Sequence, residues 1–422
     1  MRILLWHGYL LGGTGSNVYT RALAREWSNA GHDVVVVSQE RAPGQFDLGK
    51  AQTATVELPG GLLPVFVMDR YEGLQPKLLQ DFTEAERAAY VEANAAALRD
   101  LLPADLVFAN HVLMGAAVGA ATGAPFRVKA HGSELEYSMR GRPDLQRWGR
   151  ESLAHAEATF VGSRHIRDVL EDVVGHVEHV VEVPPGVDVD EFVLQERDRA
   201  LVRLVDEARN DPPNPGNAQE RLPDEGNAER LAEFLLGSDP TVVYFGKLIH
   251  NKGVQVLIEA LHGLDARAVI VGFGDYRRDL EQIAGERVLF TGPLEHRHLT
   301  HLLAFADVCV VPSIFPEAFG MVAAEAAATG CAPLVARHSG LAEIAAGLER
   351  EYPPHLRHLA SFATGDASDL HARLSELLTL APADRELVRS AARRAAVARW
   401  SWAGVARRLL EPFGQSAAAG AG

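Results

Sequence analysis

Twice along its 422 residues the chain repeats one grammar: an apolar run, a glycine-bearing turn, and an amphipathic helical stretch. Apolar runs without polar alternation are buried on both faces, so they must lie in parallel sheets covered by helices on each side. In the first half the spacing predicts strands at Arg2–Trp6, Asp33–Val37, Asp105–Ala109, Phe126–Ala130, Ala158–Val161 and His179–Val183. In the second it predicts Thr241–Phe245, Arg267–Val271, Arg287–Thr291, Asp307–Val311 and Ala332–Ala336. A chain this long exceeds one ordinary core, so the expected class is α/β with two domains of near-equal size. The division expected is 1–186, a linker or insertion over 187–240, and a second domain over 241–399.

The stretch from Leu194 to Pro240 interrupts the grammar. It is rich in Asp, Glu, Arg, Asn and Pro, with the breaker cluster Asp211-Pro212-Pro213-Asn214-Pro215-Gly216-Asn217 at its middle. Part of it reads as helix and its centre as a linker or mobile excursion. The low-complexity tail, 416–422, is expected to be disordered. The formal net charge of −15 argues against nucleic acid or an anionic membrane as partner, so anionic ligands would need particular lysines or amides. Cys309 and Cys331 fall in apolar runs without metal or redox spacing and read as reduced core residues of a cytoplasmic protein. The opening residues read as the first strand rather than a signal or membrane segment, because His7 and Gly8 interrupt the apolar run at once.

Chemistry concentrates where predicted strands end. Pro312-Ser313-Ile314-Phe315-Pro316-Glu317-Ala318-Phe319-Gly320-Met321-Val322-Ala323-Ala324-Glu325 follows a strand and enters an Ala-rich helix, placing Glu317 in the loop and Glu325 in the helix. In open parallel sheets ligands bind beyond the carboxyl ends of strands, and the amides around Gly320, Met321 and Val322 would face such a ligand. Read alone, Glu317 is a helix cap and Glu325 a solvated surface charge. Other loops change that balance. Gly246-Lys247 and Lys252-Gly253 flank a strand exit and a helix start, so the two lysines can converge on a diphosphate. Val271-Gly272-Phe273-Gly274 adds a second glycine turn, and Leu11-Gly12-Gly13-Thr14-Gly15 a third after the first strand. No Gly-Lys-Ser/Thr follows that third turn, so it is not a Walker loop.

His131 ends a predicted strand before Gly132, where an imidazole can contact a polar ligand, and Ser163-Arg164 end a later one. His296, His298 and His301 invite a metal reading, but only His298 and His301 share a helix face; they are read as solvated surface histidines, and no metal site is expected. A Gly-x-Ser-x-Gly elbow and a Cys-x-x-Cys pair are both lacking.

In this order and spacing the motifs resemble the retaining glycosyltransferases of family 4, which have the GT-B fold. The likeness runs through Gly12-Gly13, His131-Gly132, Ser163-Arg164, Pro185-Gly186-Val187-Asp188 with Phe192, Gly246-Lys247, Lys252-Gly253, Gly272-Phe273-Gly274, Gly292-Pro293-Leu294 and Glu317 to Glu325. The resemblance implies two Rossmann-like domains facing across a cleft, with Trp400-Ser401-Trp402 and a helix over 400–415 crossing back to the first. It implies that Lys247 and Lys252 hold the diphosphate of a sugar nucleotide, Glu317 the sugar hydroxyls and Glu325 the ribose diol. Phe319, Gly320, Met321 and Val322 would lie along sugar and phosphates, with Arg164, Gly272, Gly274 and Leu294 also on the donor. His131 would contact the sugar near the reacting carbon, and Gly13 and Thr14 would close over the phosphates. His131, Glu317 and Lys252 are thus the expected catalytic set. Many members carry arginine where this chain has Lys247, which keeps the charge without the two-pronged geometry.

The family's reaction needs no cofactor beyond the nucleoside diphosphate sugar, with a UDP-sugar expected. Attack comes on the face the diphosphate leaves, and the diphosphate helps to accept the proton. The acceptor pocket is expected among Asn110, His111, Glu134, Tyr137 and Arg140. The segment Val18 to Ala30 carries only Arg21 and Arg25, and Asp81 to Asp100 is largely acidic, so stable membrane association is not expected. A small soluble acceptor such as a cyclitol, an amino sugar or a secondary-metabolite core fits better, with the protein a monomer or homodimer. The competing readings are a catalytically silent partner protein that binds a sugar nucleotide, and a GT-B epimerase or phosphorylase.

Overall fold

The computed structural model describes residues 1–411 apart from 14, 67, 69, 70 and 72. Thr14 and the tail 416–422 therefore lie outside the described residues. The chain divides into two compact units, Met1–Pro185 joined by the segment from Trp402 onward, and Gly186–Ser401.

The first unit is built on β1 (Arg2–Trp6), β2 (Asp33–Ser38), β3 (Gln52–Thr55), β4 (Leu62–Val65), β5 (Gln75–Leu78), β6 (Leu106–Asn110), β7 (Phe126–Lys129), β8 (Ala158–Val161) and β9 (Val180–Glu182). Seven of these form one parallel sheet in the order β3-β2-β1-β6-β7-β8-β9, and β4 and β5 pair separately. The second unit carries β10 (Thr241–Phe245), β11 (Arg267–Val271), β12 (Val288–Phe290), β13 (Val308–Val311), β14 (Ala332–Ala336) and β15 (Ser361–Phe362), parallel in the order β12-β11-β10-β13-β14-β15. Both units are Rossmann-like. In each, the first strand sits where the order reverses, between β2 and β6 or between β11 and β13, which is where α/β sheets open a crevice for ligands.

All eleven strands expected from the sequence are present. Among the described residues the strands it missed are β3, polar and exposed at a sheet edge; β4 and β5, each holding a proline; and the two-residue β15. Edge strands need no apolar run, so no periodic signal marks them.

The segment 187–240 is not a linker but part of the second unit. Helices Arg197–Arg209 and Asn227–Phe234 bury Ala200, Leu204 and Val205, and Ala228 and Leu231. Arg267 of β11 donates to the carbonyls of Phe234 and Leu236 at 2.6 and 2.7 Å, stitching the second helix end to the sheet. The breaker cluster is an ordered loop around buried Asn214, whose amide donates to the Gln219 and Pro223 carbonyls at 3.0 Å each. Its charged composition hid a narrow apolar stripe at helical spacing.

After Ser401 the chain returns to the first unit through helix Trp402–Leu410. Trp402 lies edge-on to Tyr19 with centroids 5.4 Å apart, the Trp27 indole donates to the Ala406 carbonyl at 2.8 Å, and Arg127 donates to that of Leu409 at 2.7 Å.

Candidate functional site

In the second unit, three strand exits are sewn together by backbone. Gly246 N–H donates to Val271 O, Leu248 N–H to Phe273 O and Gly272 N–H to Gly292 O, at 3.0, 2.7 and 2.9 Å. Gly272 and Gly274 have φ of 144° and 154°, and a Cβ on either would collide with the carbonyls of Gly246 and Leu248. Only glycine permits that approach. The turn His250–Lys252 is stapled to the β13 exit, where Ile314 N–H and the Ser313 hydroxyl donate to Asn251 O at 3.0 and 3.2 Å. Lys252 Nζ thereby meets Glu317 Oε1 at 2.5 Å. Lys247 is exposed just beyond β10, and its carbonyl accepts from the Tyr244 hydroxyl at 2.8 Å.

The Glu317 loop has a second support that the sequence did not flag. Glu317 N–H donates to Ser339 Oγ at 2.9 Å, and Gly340 N–H to Glu317 O at 3.0 Å. His338 Nε2 lies 2.7 Å from Ser313 O and its Nδ1 3.0 Å from Ser339 Oγ. Because Ser313 O can only accept, Nε2 carries the ring proton, and the Ser339 hydroxyl donates to Nδ1.

Helix Met321–Ala328 begins at Gly320, whose φ is 113°. Its first amides have no carbonyl within the helix to bond, so Met321 and Val322 present donors as the sequence implied. Phe319 differs from expectation: its side chain is buried and edge-on to Trp400 at 6.1 Å, so only its backbone is available to a ligand. Glu325 is no solvated charge. It is buried, and burial, aided by Glu191, pushes its carboxyl up to about 8. His296 Nε2 stands 3.6 Å from it, at the start of the helix that follows Leu294, itself half-buried in the β12 exit loop.

The other two histidines also depart from the surface reading. His298 is fully buried, with Asp211 Oδ1 3.1 Å from its Nε2, and His301 Nδ1 is 2.8 Å from Gln195 Oε1. They anchor the inserted segment. Among the described residues no three His, Cys, Asp or Glu side chains gather closely enough to hold a metal ion, and no helix is long and apolar enough to cross a membrane.

The first unit gathers its own cluster at the ends of β1, β6 and β7. Asn110 Nδ2 donates to Trp6 O and Thr20 Oγ1 at 3.1 and 3.3 Å, which turns Oδ1 toward His131 Nε2, 2.8 Å away. That contact places the His131 proton on Nε2 and leaves Nδ1 as an acceptor. Burial, and then His111, Lys129 and His7, hold His131 well below the ordinary imidazole range, so the ring is neutral. Gly13, exposed with φ of 96°, precedes helix Gly15–Asn29, and Asn17 of that helix binds both His7 and the Gly12 carbonyl.

The five expected acceptor residues separate. Asn110 and His111 belong to this cluster. Glu134 is fully buried, accepting from the backbone N–H of His131 and Val112 at 3.0 and 3.2 Å with His111 Nδ1 3.4 Å away, so it organises the loops and cannot itself reach an acceptor. Tyr137 is exposed, and Arg140 is paired with Glu136 and Asp172 at 2.6 and 2.5 Å on the outer side of the same helical turn. Arg164 is the exposed first residue of helix Arg164–Val174, which Ser163 caps by accepting from Ile166 N–H at 3.2 Å.

Family models match both halves of the chain. The family model described as "Glycosyl transferase 4-like domain" matches residues 14–186, and that described as "Glycosyl transferases group 1" matches residues 239–379. The chain belongs to the family 4-like glycosyltransferases. Among relatives of this family 4-like chain, a D-inositol 3-phosphate glycosyltransferase of Xylanimonas cellulosilytica is 33% identical over 208 residues, 46% of this chain and 44% of that protein. A GDP-mannose-dependent alpha-(1-6)-phosphatidylinositol monomannoside mannosyltransferase of Mycobacterium tuberculosis is 29% identical over 302 residues, 67% of each chain. This chain spans about half the length of the first curated relatives it matches, 44% and 51%. Two solved structures share the GT-B fold with the family 4-like chain. A sucrose-phosphate synthase of Thermosynechococcus elongatus has a TM-score of 0.68 at 20% identity over 97% of both chains. Anabaena HepE in complex with UDP-glucose has 0.66 at 17% identity over 97% of this chain and 98% of that one.

Proposed function

We propose that the protein transfers a hexose from a nucleoside diphosphate sugar to a hydroxyl of a small polar acceptor, with retention of configuration and without a metal. The observation that carries this reading is the Lys252–Glu317 pair at the β10 and β13 exits, with exposed Lys247 just beyond β10 and buried Glu325 in the helix after the β13 exit. A diphosphate requires cations and amides, a sugar hydroxyl requires a carboxylate acceptor, and a ribose diol suits a second one. As the sugar C1–O bond breaks, the lysines balance charge on the leaving diphosphate. Its oxygen takes the acceptor's proton while the new C1–O bond forms on the same face.

UDP is the proposed nucleotide and a cyclitol the proposed class of acceptor. The Xylanimonas relative's name gives an inositol phosphate acceptor, and HepE was solved with UDP-glucose. GDP-mannose, in the name of the mycobacterial relative, is the alternative donor.

The test begins with thermal melting in UDP, GDP, ADP and TDP sugars, where a ligand at about 100 times its dissociation constant adds roughly 2.7 kcal/mol. The stabilising donor is then incubated with inositol and inositol phosphate, and the products are identified by mass. A hexosylated acceptor and free nucleoside diphosphate are expected. A sugar phosphate or an epimer would replace transfer with phosphorolysis or epimerisation, and donor binding without any product across acceptors would favour a silent partner protein.

A further inference from the structure

The inserted segment lies on the loops after β11 and β12, which carry Gly272, Gly274 and Leu294 of the proposed donor contacts. Asp224 N–H donates to Thr291 O at 2.9 Å, and Asn227 Nδ2 to the same carbonyl at 2.8 Å. Gly292 is pressed so closely against Asp224 that a Cβ would collide with its carboxylate and crowd the Leu222 carbonyl. Arg277, which opens the helix after the Gly272–Gly274 turn, grips the buried Asp224 carboxylate with two bonds of 2.8 and 2.6 Å. A paired fork of this kind fixes the segment in one register. Exposed Arg221 then lies over the ring of Phe273, its guanidinium carbon 5.8 Å from the centroid.

Sheet order gives this placement a meaning. The exits run β12, β11, β10, β13, and the proposed diphosphate and sugar ligands, Lys247, Lys252 and Glu317, occupy the β10 and β13 end. Glu325, the proposed ribose ligand, stands beside His296 at the start of the helix after the β12 exit. In a nucleoside diphosphate the ribose separates phosphates from base, so the base continues toward the β11 and β12 exits. The inserted segment is what covers those exits.

We propose that Arg221, layered on Phe273, forms one face of the nucleobase subsite and sets which base the donor carries, with Asp224 and Arg277 positioning it. A guanidinium plane on an aromatic ring offers a flat cationic surface, and bases differ in how well they stack on it and hydrogen-bond to its edge. The inference rests on the donor reading of this unit and adds to it the element that reads the base.

The experiment is calorimetric titration of the full chain and of Arg221→Ala with UDP, GDP, ADP and inorganic pyrophosphate. Arg221 is exposed, and the Asp224–Arg277 clamp is left intact, so the variant keeps its fold. The variant is expected to bind the preferred nucleotide about tenfold more weakly while pyrophosphate binding is unchanged, so that the spread among bases narrows. An unaltered ranking and spread of bases would overturn the proposal while leaving the donor reading in place. An equal loss for all four ligands, pyrophosphate included, would also overturn it, since it would show a structural role. A wild-type protein that binds pyrophosphate but no nucleoside diphosphate would remove the donor reading itself.

Discussion

Lys252 Nζ donates to Glu317 Oε1 at 2.5 Å, joining a turn after β10 to a loop after β13. Side-chain exposures of 32% and 20% leave the pair within reach of solvent, and such pairs contribute less than about 1 kcal/mol to stability. In the proposed donor site its value is in holding two groups ready for different parts of one ligand. Glu317→Ala is expected to lower kcat by roughly 100-fold or more while the melting temperature changes little. Unchanged turnover would remove Glu317 from the reaction.

Glu325 gives the proposed donor site a pH dependence of definite sign. Burial raises its carboxyl to about 8, so at neutral pH the unliganded group is largely protonated, whereas the unfolded chain carries it ionised. Stability is therefore lost as pH rises from the unfolded value toward 8, because ionising a buried carboxyl is unfavourable. A ribose diol donates to the ionised form, so nucleotide affinity should increase over the same range. Titrating UDP and GDP between pH 7.5 and 9, above the range where the nucleotide's own terminal phosphate titrates, should show more proton release on binding in wild type than in Glu325→Gln. Equal slopes in both proteins would place the linked proton elsewhere.

Much of the fold was legible from residue pattern because the expected strands are apolar runs and glycine-bearing loops follow them directly. Strands such as Thr241–Phe245 and Ala332–Ala336 end where the sequence puts them. Contacts between distant segments were not legible. Nothing local tells that His298 is buried beside Asp211, that Asp224 is held by Arg277, or that Phe319 turns into the core against Trp400. Glu134 is instructive: its position in a strand-exit loop suggests a ligand contact, yet the nearest donors are backbone amides of its own loops. A charged residue close to a site can as well build the site as touch its ligand.

Ser339 should act on catalysis through Glu317 without touching ligand. Its hydroxyl accepts from Glu317 N–H and donates to His338, so Ser339→Ala leaves a loop amide without its partner. Loss of one such bond costs about 1 kcal/mol in stability. The expected signature is a several-fold fall in kcat with donor affinity nearly unchanged, measured by steady-state kinetics beside nucleotide titration. Ser339 has a left-handed backbone with φ of 46°, so Ser339→Gly, which suits that backbone but lacks the hydroxyl, should show the same fall; wild-type kcat in the glycine variant would mean that the hydroxyl is not what positions the loop.

Glu134 predicts a stability effect of opposite pH sign to that of Glu325. Burial alone would raise its carboxyl, but His111 and the N–H groups of the surrounding loops outweigh that and hold it below the usual value. The resulting stabilisation is present above the unfolded carboxyl range and is lost as pH falls through the lower, folded value. Glu134→Ala would leave buried backbone donors at Val112 and His131 without acceptors, at a cost of about 3 kcal/mol. Glu134→Gln keeps one oxygen for those amides and should lose less. In denaturant titrations at pH 7 the order of stability should be wild type, Gln, Ala, and lowering the pH should narrow the gap between wild type and Gln. A gap that stays constant with pH would mean that the carboxylate's charge contributes nothing, and that hydrogen-bond geometry alone holds the β6 and β7 exits together.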